Sequence, residues 1–188
     1  VEKKERRLSA EKALRLLMEG NNRFVEGNLE HPNHCEESRQ GVAFGQEPVA
    51  VVLTCADSRV PPVDIFDQGI GDIFVVRVAG NIIGDHTLGS IEYAVVHLNT
   101  ALVMVLGHSS CGAVTAVAEE AKLDGHMATF VPPIQAAIKK VRHLEGELVN
   151  NTAMELARQT AARIASSEPI IADYVKNGRT RVIPAYYD

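Results

Sequence analysis

Short continuous apolar runs alternate along the chain with stripes of helical period. Val49 to Thr54, Ile73 to Val78, Ala101 to Leu106 and Thr180 to Tyr187 are rich in aliphatic and β-branched residues and predict strands, the first and third buried in a parallel sheet. Ser9 can cap a helix running to about Val25, with Glu11 in its first turn and Leu14, Leu17, Met18, Phe24 and Val25 along one stripe. Pro61-Pro62 stops the first strand and opens a short helical piece over Val63 to Asp67, and Ala79-Gly80-Asn81 closes the second. Thr87 or Asp85 caps a helix to about Leu98 that turns Ile91, Ala94, Val95 and Leu98 inward. Further helices are predicted over Gly112 to Ala121, Ile134 to Leu144, Leu148 to about Ser166 (with Leu148, Met154, Ala157, Ala161 and Ile164 apolar) and Pro169 to Val175, the last ended by Asn177-Gly178. Gly27 to Gly45 reads as a polar loop.

Strands alternating with helices predict an α/β fold: a central, mostly parallel β-sheet flanked by helices, with an N-terminal helical arm. With no repeat and no linker, residues 1–188 make one domain, of which 1–45 are arm and loop and 46–188 the α/β core. At 188 residues and 46% hydrophobic content such a domain buries a core without staples. The net charge of -5 and the lack of Trp or a basic block leave no footprint for nucleic acid. The Lys3, Lys4, Arg6, Arg7 cluster, interleaved with Glu2 and Glu5, reads as a solvated helix lead-in. No run reaches the roughly 18 apolar residues of a membrane helix, so no membrane partner is expected. Three cysteines are an odd number for a disulfide framework and point to metal binding or a reducing compartment. The expected location is the cytoplasm, or the periplasm if an upstream signal was removed, since the chain opens on Val.

Chemistry in open α/β sheets gathers just past the carboxyl ends of the strands. Two such ends carry reactive side chains: Leu53-Thr54-Cys55-Ala56-Asp57-Ser58-Arg59 and Gly107-His108-Ser109-Ser110-Cys111-Gly112. If the first leaves its strand extended, Cys55, Asp57 and Arg59 share one face, and an Arg so near an Asp can hold it by a bidentate pair. In the second, Cys111 sits at a helix N-terminus, where the dipole favours a thiolate. Two thiolates and an imidazole suit zinc, and three protein ligands leave a position open, as catalytic sites do. Each residue alone has an ordinary reading as core thiol, turn histidine or surface ion pair; their joint occurrence at two strand ends does not. His31-Pro32-Asn33-His34-Cys35 is a second candidate cluster, but no partner ligand follows at suitable spacing, and a surface loop is the better reading.

With these motifs the chain resembles the β-class carbonic anhydrases, on the plant-like side of that family. The resemblance is carried by Cys55-Ala56-Asp57-Ser58-Arg59 and His108-Ser109-Ser110-Cys111-Gly112. It extends through Asp67-Gln68-Gly69, Phe74-Val75-Val76-Arg77, Ala79-Gly80-Asn81 and Ser90-Ile91-Glu92-Tyr93-Ala94. It implies one zinc ion per chain on Cys55, His108 and Cys111, and reversible hydration of carbon dioxide to bicarbonate and a proton. It implies that Asp57 either ligates the zinc, closing the site, or pairs with Arg59, leaving it open. Gln46, Phe74, Ala79, Tyr93 and Gly112 match substrate-pocket positions, some supplied by a dimer mate, so a homodimer or dimer-based oligomer is implied. The regulated branch has a Trp three residues before the first cysteine; Val52 stands there, which implies a site without that control. A carbon disulfide or carbonyl sulfide hydrolase would use the same residues. A non-catalytic zinc-binding assembly module would hold Asp57 on the metal and need neither Arg59 nor Gln46.

Overall fold

The computed structural model of the chain describes residues 8–188, so the predicted helix lead-in at residues 3–7 lies outside the described residues. Helix α1 (Ala10–Glu26) starts at Ser9, whose hydroxyl accepts from the Lys12 N–H, and ends at Gly27 in the left-handed region. The chain continues through α2 (Glu36–Gly41), β1 (Ala50–Thr54), α3 (Pro62–Ile65), β2 (Ile73–Arg77), α4 (Asp85–His97), β3 (Leu102–His108) and α5 (Gly112–Ala118). Helices α6 (Val131–Val141), α7 (Leu148–Ala165) and α8 (Ile171–Lys176) precede β4 (Arg181–Tyr187). The four strands form one sheet in the order β2-β1-β3-β4, and every pairing is parallel.

Period-two alternation divides the core cleanly. Ala50 and Val52 of β1, with Leu102, Met104 and Leu106 of β3, point to the face covered by α1, α5 and α6. Val51, Leu53, Val103 and Val105 point to the other, where Ile91, Ala94 and Val95 of α4 and Ile171 of α8 meet them. Each such fully buried aliphatic side chain stabilises the fold by about 1.5–3 kcal/mol of transfer free energy. Helix α7 serves both clusters, Leu156 one and Ala161 and Ile164 the other. It lies so close to β3 that a Cβ on Gly107 would sit 2.9 Å from the Ala153 carbonyl oxygen. That close approach seats the first turns of α7 over the carboxyl end of β3.

Several expectations are corrected. The loop expected over Gly27 to Gly45 contains α2, a six-residue polar helix that buries no side chain and is too short for a periodic signal. Of the apolar stripe expected on α1, Leu17 is buried and Leu14 and Phe24 pack against the core, but Met18 and Val25 are 45% and 73% exposed. Small residues, Ala13 and Gly20, make the close contact instead. In α7 likewise Leu148 is exposed, while Thr152, Ala153 and Thr160 are buried. Gly84, not Asp85 or Thr87, caps α4, and α5 ends at Ala118 rather than running to Ala121. Among the described residues no helix is long and apolar enough to cross a membrane.

Candidate metal centre

Strands β1 and β3 are neighbours, so their carboxyl ends deliver Cys55 and His108 side by side, and the turn after β3 returns Cys111 to them. One ligand atom from each of the three residues lies within 4.8 Å of the others, and all three residues are buried. The Cys55 and Cys111 sulfurs are 3.9 Å apart. Cys55 reaches this place because the alternation of β1 slips at its end: Cys55 joins the cluster of Ala50 and Val52, and Thr54 donates its hydroxyl to the Leu106 carbonyl.

The electrostatics of the pocket suit a cation. The Cys55 thiol is held well below the usual thiol range, chiefly by hydrogen bonding with Cys111, with support from the Gly80 N–H at 3.3 Å. Cys111 is pushed upward by that same pairing and by burial. A metal bound between the two sulfurs would replace this pairing. His108 has Nδ1 2.9 Å from the Ser109 carbonyl oxygen, and since a carbonyl only accepts, Nδ1 carries the proton. That leaves Nε2 as a lone pair, buried and without a hydrogen-bond partner among the described residues. A buried acceptor left unpaired beside two sulfurs is the arrangement a metal ligand takes.

The segment after Cys55 is not extended as the sequence suggested. It turns at Asp57, where Val60 N–H donates to the Asp57 carbonyl and Arg59 N–H to Asp57 Oδ1 at 3.0 Å. The short side chain of Asp57 caps its own turn. That turn brings Arg59 back onto Asp57 as a fork, Nε to Oδ1 at 2.9 Å and Nη2 to Oδ2 at 2.7 Å. Hydrogen bonding to Arg59 holds the Asp57 carboxyl well below the usual carboxylate range. Arg59 Nη2 also donates to the Ser110 carbonyl, tying the first motif to the second. Asp57 is thus engaged by Arg59 and is not one of the three converging ligands.

Two residues to which the sequence reading gave no role support this geometry. Arg77, the charged end of an otherwise apolar β2, donates Nε to the Cys55 carbonyl and Nη2 to the Asp57 carbonyl. Asn150, in the first turn of α7, accepts from the Ser110 N–H at 3.0 Å. A lone charge closing an apolar strand run was a legible signal for Arg77; a polar residue among many on a helix gave none for Asn150.

The remaining candidates divide. Ala79 lies in the turn that supplies the Gly80 N–H, and Gly112 opens α5 directly after Cys111, so both border the centre. Phe74 and Tyr93 stack 6.3 Å apart on the opposite face of the sheet from the ligands. Gln46 precedes β1 in a pocket with Phe44, Ile70 and Asp72, at the amino end of the strand. The strand between it and Cys55 alone spans roughly 17 Å. The His31 to Cys35 segment forms no ligand set: His34 Nε2 lies 3.2 Å from the Gln68 carbonyl oxygen and Cys35 Sγ 3.2 Å from the Ser38 hydroxyl.

Residues 50–188 match the family model described as carbonic anhydrase. The chain is 38% identical over 179 residues to carbonic anhydrase 2 of Mycobacterium tuberculosis, covering 93% of this chain and 86% of that protein. It is 41% identical over 162 residues to the carbonic anhydrase of Mycolicibacterium smegmatis, covering 80% and 79%. Among solved structures it matches the β-carbonic anhydrase CafA of Aspergillus fumigatus with TM-score 0.71 at 25% identity, covering 94% of this chain and 86% of that one. It also shares its fold with a tetrameric β-carbonic anhydrase of Sordaria macrospora, with TM-score 0.71 at 23% identity over 93% and 91% of the two chains.

Proposed function

This chain belongs to the β-carbonic anhydrase family and is an enzyme that interconverts carbon dioxide and bicarbonate; from that premise we propose that its metal is one zinc ion on Cys55, His108 and Cys111. The observation that carries the assignment is the buried, unpartnered Nε2 of His108 facing two cysteine sulfurs. Two thiolates and a neutral imidazole form a soft-to-borderline donor set, which favours zinc over magnesium or calcium. When bound, zinc supplies Lewis acidity that lowers the pKa of a water molecule so that it reacts as hydroxide. Because two thiolates would cancel the charge of the ion, that pKa would lie above the roughly 7 known for a three-histidine site.

The protein's own residues then act on the reacting oxygen. Asp57, ionised and held by Arg59, accepts its hydrogen bond and aims a lone pair at the carbon of carbon dioxide. Ala79 and Gly112 border the substrate space from the same chain. Gln46, Phe74 and Tyr93 serve the site of a second copy, in a homodimer or an assembly built from dimers. Support for that comes from β2, an edge strand with one side unpaired among the described residues, and from the exposed Phe44, Ile70, Tyr93 and Val96 near it. The pairing of Asp57 with Arg59 favours an enzyme over an assembly module that would use Asp57 as a fourth ligand.

Metal analysis with stopped-flow carbon dioxide hydration from pH 6 to 9 tests this reading. One zinc per chain and a rate that climbs toward alkaline pH are expected. A flat profile, or full activity after zinc removal, overturns it.

A further inference from the structure

The turn between His108 and Cys111 is held by one peptide unit that works in two directions. Its carbonyl oxygen, on Ser109, lies 2.9 Å from His108 Nδ1. Its N–H, on Ser110, donates to Asn150 Oδ1 at 3.0 Å. In a trans peptide the C=O and N–H point in opposite directions, so whatever fixes one end aims the other. Ser110 itself stands at φ 52, in the left-handed region that a residue with a Cβ avoids unless its surroundings impose it. The next carbonyl, on Ser110, accepts from Arg59 Nη2.

We propose that Asn150 is a positioning residue for the metal centre, acting through the Ser109–Ser110 peptide to orient the His108 imidazole. The relay runs from Asn150 Oδ1 to the Ser110 N–H, and from the Ser109 carbonyl to the Nδ1 proton of His108, leaving Nε2 directed at the metal position. A hydrogen bond at the N–H end polarises the peptide and makes its carbonyl the better acceptor. Asn150 is itself well placed to be rigid. The neighbouring Asn151 bonds the Glu145 carbonyl at 3.0 Å, and α7 packs on Gly107 without room for a side chain between them. Partners that orient a ligating histidine typically matter about 10–100-fold in metal affinity or activity. Asn150 extends that support one bond further out, from an element 40 residues away in sequence.

This inference rests on reading Cys55, His108 and Cys111 as metal ligands, and two measurements separate its failure from failure of that reading. In the first, zinc-loaded wild type, Asn150→Ala and Asn150→Asp are mixed with excess chelating dye and zinc release is timed. Release from Asn150→Ala is expected about 10-fold faster, with Asn150→Asp, which keeps an oxygen acceptor at the same place, close to wild type. Equal rates for wild type and Asn150→Ala, or no rescue by Asn150→Asp, overturn the proposal. In the second, ring ¹⁵N shifts of His108 in the metal-free chain, assigned against a His108→Gln control, report its tautomer. Wild type is expected as Nδ1–H and Asn150→Ala as a mixture; an unchanged tautomer overturns the proposal whether or not wild type takes up zinc.

Discussion

Arg77 donates to the main-chain oxygen of Asp57 over 2.5 Å while its Nε holds the carbonyl of Cys55. One guanidinium on the edge strand therefore sets the backbone of both the first thiolate and the carboxylate beside it. Arg77→Leu is expected to lower kcat about 10–100-fold with zinc still bound. Arg77→Lys is not expected to rescue it, because an ammonium lacks the planar fork that reaches two carbonyls at once. Steady-state hydration kinetics alongside zinc content decide this, and a lysine variant with full activity would contradict the two-carbonyl role.

Asp57→Asn separates ligand from gate. The amide keeps the size of the side chain but presents one donor in place of a carboxylate oxygen and weakens the fork to Arg59. Zinc content is expected to be unchanged and turnover to fall by at least 10²-fold, the scale of losing a positioned proton acceptor. Since Arg59 keeps the Asp57 carboxyl ionised far below neutrality, its own protonation does not shape the rate between pH 6 and 9. The alkaline rise therefore belongs to another group and should persist in any Asp57 variant with measurable residual activity, whereas a flat profile in such a variant would make Asp57 the titrating group.

Much of this architecture was legible because two signals coincided. The runs Val49 to Leu53 and Ala101 to Leu106 are apolar at every position, as buried parallel strands are, and Cys55 and His108 each come two residues after such a run ends. Adjacent strand ends then bring Cys55 and His108 together without any further information. What the pattern did not disclose depends on close approach rather than polarity. Beside the expected Leu17, the contact face of α1 includes Ala13 and Gly20, which carry little hydrophobic signal, while the larger Met18 and Val25 face outward. The Asp57 turn was missed because period-two reasoning continued past Thr54, where the ladder to β3 ends. Gln46 was matched to the substrate pocket by motif alone, and the topology sets it at the far end of β1.

Gly20 offers a sign test of that close approach. In an exposed helix Gly→Ala stabilises by about 1 kcal/mol. Here a Cβ would sit 1.8 Å from the Phe66 carbonyl oxygen, a backbone atom that cannot turn aside. Gly20→Ala is expected to destabilise by about 1–3 kcal/mol, the cost of overpacking, and to lower Tm by several degrees. Thermal unfolding measures it, and a raised Tm would show that α1 is free to move off α3.

Asp67 gives the clearest pH signature in the fold. Its buried carboxylate accepts from Arg23 Nε at 2.6 Å, from the Glu30 N–H at 3.1 Å and from the His31 N–H at 3.0 Å, fastening α1 and the loop after it to the turn before β2. Burial pushes the pKa up, but these three donors outweigh it and leave the group below its ordinary value. A carboxyl depressed in the folded state binds fewer protons there than in the unfolded chain. Its stabilisation is therefore complete above the unfolded pKa of about 3.9 and is lost as pH falls through the folded value. Asp67→Asn fits the same left-handed backbone, φ 43, so it tests the charge and not the turn. At pH 7 the variant is expected to be less stable by about 2 kcal/mol, the scale of hydrogen bonds to a charged group. Below pH 4 the gap should narrow, because the unfolded wild type then takes up a proton that the folded carboxylate, with its depressed pKa, binds only at lower pH. Zinc loss in acid affects both alike and leaves the difference intact. Denaturant unfolding at pH 7, 5, 4 and 3 measures the gap, and a gap that stays constant across that range would mean Asp67 acts through packing alone.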